Sequence, residues 1–331
     1  MAEDFRDLRK LQLGQFDAWE KRQDVIDRVL LRNFKASYLA TVQQIATLYA
    51  KVGLDDPVNG IYIRKEDAIH YNQLYNRLAN IEKELRALEK AGVKLTEENS
   101  AQSFQDGYYR NVWAYNQAVG VPLGIPALPI EAIKSAVYPS LRIGPDKKVG
   151  LSLVTTWNKN TTDQIYKTQS AIIRGITLGQ SYTKVARSIK AEFDKGLWQA
   201  MRVVRTEAGR NWSEGAEASH NAAIEAGLDV KKRWSASLDS RTRLSHANLD
   251  VTFADNEGLF YLGGEGQPQP RLFSDPAESI NCRCSVYDVI DDITPTVRRI
   301  RGQGIVPYQT FAEWGADKGW DPVKGWGKVK L

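Results

Sequence analysis

The chain has 331 residues, of which 42% are hydrophobic and 26% charged, and a formal net charge of +5. That apolar share supplies real cores and excludes a disordered chain, and the length suits two domains or one domain with a long helical appendage. No stretch approaches the roughly 18 uninterrupted apolar residues of a membrane-spanning helix, and the opening MAEDFRDLRK is charged where a secretory leader is apolar, so no membrane association and retention in the cytosol are expected.

Charge is distributed unevenly. Residues 1–140 balance to 0, residues 141–212 carry +8, residues 213–291 carry −6 and residues 292–331 carry +3. The basic stretch reads either as a phosphate-facing surface or as a solvated face docking on the acidic body that follows it.

Taken in chain order, the first element is helical and ends near Gly53, where Asp55-Asp56-Pro57 and Asn59-Gly60 form a turn cluster. The next run places Tyr71, Leu74, Leu78, Ile81, Leu85 and Leu88 at alternating steps of three and four, a heptad seam. An antiparallel helical hairpin that closes its own apolar stripe is the preferred reading over pairing with another chain. His70 lies beside the seam and reads as helix surface. The proline-rich run GVPLGIPALPIEAIKSAVYPSLRIGP then marks a break.

Helical patterning resumes from Val149 to about Gly227. Gly179 suits a helix C-cap, Ser181 or Thr183 the next N-cap, and Val185, Ile189 and Phe193 one apolar face. Beyond Asp229 the pieces VKKRWSASL, EGLFYLG, RLFSDP and CRCSVYDVI read as short strands, with a loop around GGEGQPQP. The resulting fold class is α+β. An elongated N-terminal helical arm or bundle (1–140) precedes a basic, mainly helical linker region (141–228). A small C-terminal α+β domain (229–291) and a basic, Trp-containing tail (292–331) complete the chain.

Four motifs carry possible chemistry. In RTEAGR, Glu207 and Arg210 are i, i+3 neighbours that can pair, and with Arg205 they read as loop organisers; a general base at Glu207 lacks a partner at any suitable spacing. In DSRTRLSHANLD, Asp239 can cap a short helix starting at Ser240, which puts Thr242, His246 and Leu249 on one side. His246 then reads as a packed hydrogen-bond donor, with Arg241 and Arg243 as salt-bridge and loop organisers.

In NCRC, Asn281 to Cys284, an extended backbone puts Cys282 and Cys284 on one face and Arg283 on the other. An i, i+2 pair lacks the geometry of an easy disulfide, so nothing points to an oxidising compartment. With His246 and either Asp239 or Asp275 the two cysteines make a zinc set, but the spacing is narrower than usual. They read instead as small apolar wall residues under the His246 helix, and no metal or cofactor is assigned. The tail interleaves Trp314, Trp320 and Trp326 with Arg298, Arg299, Arg301, Lys318, Lys324, Lys328 and Lys330, a pattern that fits nucleic acid or a partner surface.

RTEAGR, then RWSASLDSRTRLSHANLD containing Trp234, then FSDPAESINCRCSV occur in an order that resembles the phage head morphogenesis family typified by protein F of phage Mu. The likeness covers roughly residues 150–290, and YQTFAEW is similar to the family's C-terminal extension. One departure is Asp250, where the family commonly has glycine, so a turn there is expected to be built differently.

The resemblance implies a minor capsid protein made in the host cytoplasm and housed in the virion near the portal vertex. Portal protein and packaged double-stranded DNA are its implied partners. Contact with scaffold or major capsid protein, and ejection with the genome, are further expectations. The competing class is an enzyme, a nuclease or nucleotide-transferring domain centred on His246 with Arg241 and Arg243. The lack of a paired carboxylate or a glycine-rich phosphate loop argues against it.

Overall fold

The computed structural model describes residues 7–58, 60–64, 72–120, 122–137, 153–290, 297–300, 304–307, 313, 320–321 and 325–326. Helices dominate, with a few short antiparallel strands, as the α+β reading expects. Five helices come first: α1 (Leu8–Val52), α2 (Asn72–Val119), α3 (Ile130–Val137), α4 (Leu153–Thr177) and α5 (Tyr182–Glu225). They are followed by β1 (Lys231–Ser235), α6 (Leu244–Asn248), β2 (Phe260–Leu262), β3 (Glu265–Gln267), α7 (Pro276–Ser279) and β4 (Ser285–Val289). In the tail, β5 (Val297–Ile300) pairs with β6 (Gly304–Pro307), and β7 (Trp320–Asp321) with β8 (Gly325–Trp326).

The chain forms two compact units, one from residues 1–24, 98–140 and 205–331, the other from residues 25–97 and 141–204. The second is a helical bundle. Its core joins Leu30, Phe34, Ile45 and Leu48 of α1 to Ile81, Leu85 and Leu88 of α2, with Trp157, Ile165 and Ile172 of α4 and Val185, Ile189 and Phe193 of α5. The heptad seam is therefore closed within the chain, with Leu74 and Leu78 half-buried at its edge. His70 and Tyr71 lie outside the described residues. Gly179 takes φ 58 at the end of α4, and α5 begins directly after Ser181, so both caps fall where the residue types require.

In the first unit α1 and α5 enclose an aromatic cluster of Phe16, Trp19 and Trp212 with Ala208, and the Trp19 and Trp212 rings lie 5.1 Å apart. Beside it stands the strand-containing domain. β1 pairs antiparallel with β4 in the register Arg233 to Tyr287, and β2 pairs with β3 through a turn at Gly263 and Gly264, both left-handed. That hairpin occupies part of the stretch read as loop. Conversely, RLFSDP forms no strand: Arg271 sits at φ 71 and Asp275 caps α7 by accepting from the Ala277 amide. The short-range pattern there is apolar but the turn chemistry of Ser, Asp and Pro prevails.

The departure from the family pattern at Asp250 resolves one residue later. Asp250 accepts the Ala236 amide through Oδ1 at 2.9 Å, and Val251 takes the left-handed conformation at φ 59. Val251 is held there by its amide donating to the Trp234 carbonyl and by Arg233 Nε donating to its own carbonyl at 2.7 Å. A β-branched residue is strained in that region. Val251→Gly is expected to raise stability by about 0.5–1 kcal/mol, read from the midpoint of urea unfolding. A lower midpoint would mean the conformation is not strained.

Candidate functional site

The three sequence motifs lie in the first unit, but not in one cluster. Arg210 donates to Glu207 at 3.1 Å, to Glu214 at 2.8 Å and to the Ala136 carbonyl at 2.9 Å, so it closes the last turn of α3 onto α5. Arg205 pairs with Asp24 at 3.0 Å. These residues organise helices.

The loop between β1 and α6 differs from the expected cap. The helix begins at Leu244, with Arg243 at its N-cap and no side-chain cap bond. Asp239 instead accepts the Arg241 amide at 2.8 Å in an Asx turn and pairs in two-pronged fashion with Arg283, at 2.9 and 2.7 Å. Arg243 donates to the Ile280 carbonyl at 2.6 Å and so ties this loop to the approach of the NCRC motif. Arg241 is exposed. The Arg283 guanidinium is directed at Asp239.

His246 is 1% exposed, with the Trp234 ring at right angles 5.6 Å away. Its Nε2 meets Glu278 Oε2 at 2.8 Å, and Ser245 donates to the same oxygen at 3.1 Å. The other ring nitrogen, Nδ1, faces Cys282 Sγ at 3.4 Å and Cys284 Sγ at 3.5 Å. Asn281, just before them, takes the left-handed conformation at φ 56. The two cysteines also belong to the core cluster with Trp234, Leu238 and Phe260. Among the described residues, neither Asp239 nor Asp275 joins this group.

Burial opposes ionisation of both thiols. At Cys282 the Cys284 and His246 hydrogen bonds and the Arg271 charge outweigh it and hold the thiol well below its ordinary range. Burial and the Cys282 sulfur push Cys284 well above its ordinary range. Arg271 is the residue that sequence reading missed here. It donates to the Cys282 carbonyl at 2.8 Å and to Ser213 of α5 at 3.3 Å, and its guanidinium lies over the Phe16 ring.

A second unread group lies at the end of β4. Asp288 is buried and accepts from Gln12 at 2.9 Å and from Tyr115, and it meets His220 Nδ1 at 2.6 Å. Burial alone would raise the Asp288 carboxyl, but the His220 hydrogen bond and charge, with Tyr115 and Gln12, bring it below its ordinary value. Burial, then the Asp288 charge, push Tyr115 well above its own. Lys232 is likewise buried, with Glu217 at 2.7 Å. Of the tail cations, Arg298 and Arg299 lie on β5, while Arg301, Lys324, Lys328 and Lys330 fall outside the described residues.

Residues 166–287, which contain all three motifs, match the family described as phage Mu protein F like protein. The segment thus resembles the phage head morphogenesis family. Among curated relatives, the Minor head protein GP7 of Bacillus phage SPP1 is 27% identical over 306 residues, which cover 90% of this chain and 92% of that protein. NAD(+)--arginine ADP-ribosyltransferase EFV of Enterococcus faecalis (strain ATCC 700802 / V583) is 26% identical over 314 residues, 92% of this chain, which spans 62% of that protein's length. No solved structure matches the chain.

Proposed function

We propose that this chain is a minor head protein, a structural component of the virion that joins the portal vertex during assembly and touches packaged DNA. The observation that carries this reading is the match to the SPP1 minor head protein, which runs along nine-tenths of both chains. No helix among the described residues is long and apolar enough to cross a membrane.

Support for DNA contact comes from α5. Lys184, Arg187, Ala191, Lys195, Trp198 and Arg202 recur at three- and four-residue steps and are all exposed, Trp198 to 73%. Lys195 pairs with Glu192, but among the described residues Lys184, Arg187 and Arg202 have no acidic partner. Unpaired cations on one face, flanking an exposed indole, suit a phosphate backbone.

The name of the Enterococcus relative raises an enzymatic reading. More than a third of that protein lies beyond the match, and the matched region is shared with a head protein, which supports assigning transfer activity to the remainder. The burial of His246, with both ring nitrogens engaged, also supports a structural role.

The purified chain is expected to shift plasmid DNA in a salt-sensitive manner without nicking it in magnesium, and to cosediment with a portal ring. The triple variant Lys184→Ala, Arg187→Ala, Arg202→Ala is expected to lower the slope of log affinity against log salt by roughly 2–3. An unchanged slope removes this face as the contact; failure to bind the portal at low and moderate salt removes the docking; nicking abolished by His246→Ala reinstates the enzyme.

A further inference from the structure

We propose that His246, Cys282 and Cys284 form a zinc site, and that Glu278 is its positioning residue. The three donor atoms lie within 4.8 Å of one another and all three residues are buried. Zinc bound to thiolate at about 2.3 Å and to imidazole at about 2.05 Å in tetrahedral geometry separates sulfur from nitrogen by roughly 3.5 Å. The observed separations from Nδ1 are 3.4 and 3.5 Å, so the donors already span two edges of that tetrahedron.

The orientation of the ring is the second, independent observation. A histidine that ligates a metal through one nitrogen typically donates its other N–H to a carboxylate, which fixes the tautomer and strengthens the donor. Glu278 fills that position at 2.8 Å from Nε2, and Ser245 steadies the carboxylate. As small wall residues the two cysteines need no such arrangement, since packing alone does not require a ring nitrogen aimed between two sulfurs.

Donor chemistry selects the ion. Two thiolates and an imidazole favour zinc over magnesium or calcium, which take oxygen donors. Two thiolates also neutralise the dication, and of the arginines around it Arg283 is paired with Asp239 and Arg243 is bound to carbonyls. Binding sends the thiol protons to solvent and changes no oxidation state. The three donors line a small pocket that Arg241, Arg243 and Arg283 also line.

Cobalt(II) titration of the reduced, metal-stripped full chain tests the site. One equivalent is expected to bind with a thiolate-to-cobalt charge-transfer absorption that zinc bleaches, and zinc is expected to raise the melting temperature. Cys282→Ser and Cys284→Ser each weaken the band. Glu278→Gln, which keeps both sulfurs, lowers affinity about 10–100-fold while the band still forms at saturation. Absence of the thiolate band in the reduced wild-type chain overturns the proposal, as does binding unchanged by the cysteine variants. Because wild type and Glu278→Gln retain every ligand, the result stands even if a cysteine variant does not fold.

Discussion

Asp288→Ala is expected to cost about 3–5 kcal/mol of folding stability, because it strands three buried groups at once. Gln12, Tyr115 and His220 all direct polar atoms at this carboxylate, and the Asp288 amide donates back to Gln12 at 2.7 Å. The bonds tie the first turns of α1, the C-terminal part of α2 and the end of α5 to strand β4, so the loss falls on the framework of the small domain. Asp288→Asn keeps the shape and some acceptors and is expected to cost less.

The dependence on pH distinguishes the carboxylate from its shape. Asp288 titrates below its ordinary value in the folded chain, so its contribution is present at neutral pH and is lost as pH falls through the folded value. The stability gap between wild type and Asp288→Asn is therefore expected to hold near neutrality and to shrink progressively below about pH 4. A gap that stays constant on acidification would show that the network needs the side chain's outline and not its charge.

None of this network was legible in the sequence, for a definable reason. Gln12 and Asp288 are separated by 276 positions and share no periodicity, so nothing local marks them as partners. His220 stands in an alanine-rich part of α5 that offers only a helical pattern. Local rules succeeded where both partners lie on one element. The Glu207 and Arg210 pair follows from helical spacing, and Gly179 follows from cap chemistry.

The errors have the same origin. Asp239 is a good cap by residue type, but Arg283, 44 positions away, claims its carboxylate and the helix starts five residues later. Around His246 the sequence supplied the two sulfurs and the ring as candidates. It did not supply Glu278, whose role depends on the loop that Arg243 holds by the Ile280 carbonyl.

Gly215→Ala is expected to destabilise the chain by about 3 kcal/mol, the upper part of the range for overpacking, although a glycine-to-alanine change inside a helix ordinarily gains up to about 1 kcal/mol. A Cβ at Gly215 would stand 2.1 Å from the Phe104 carbonyl oxygen, and one at Gly107 would stand 2.3 Å from that of Trp212. Both obstacles are backbone, so relief requires α2 and α5 to move apart. That movement disturbs Trp212 and with it the aromatic cluster against which Arg271 rests. Gly14→Ala on α1 is the control, since nothing lies within 4 Å of its Cβ position. Urea unfolding of the two variants should therefore show shifts of opposite sign. Equal gains would mean that the two helices do not cross at van der Waals contact through these glycines.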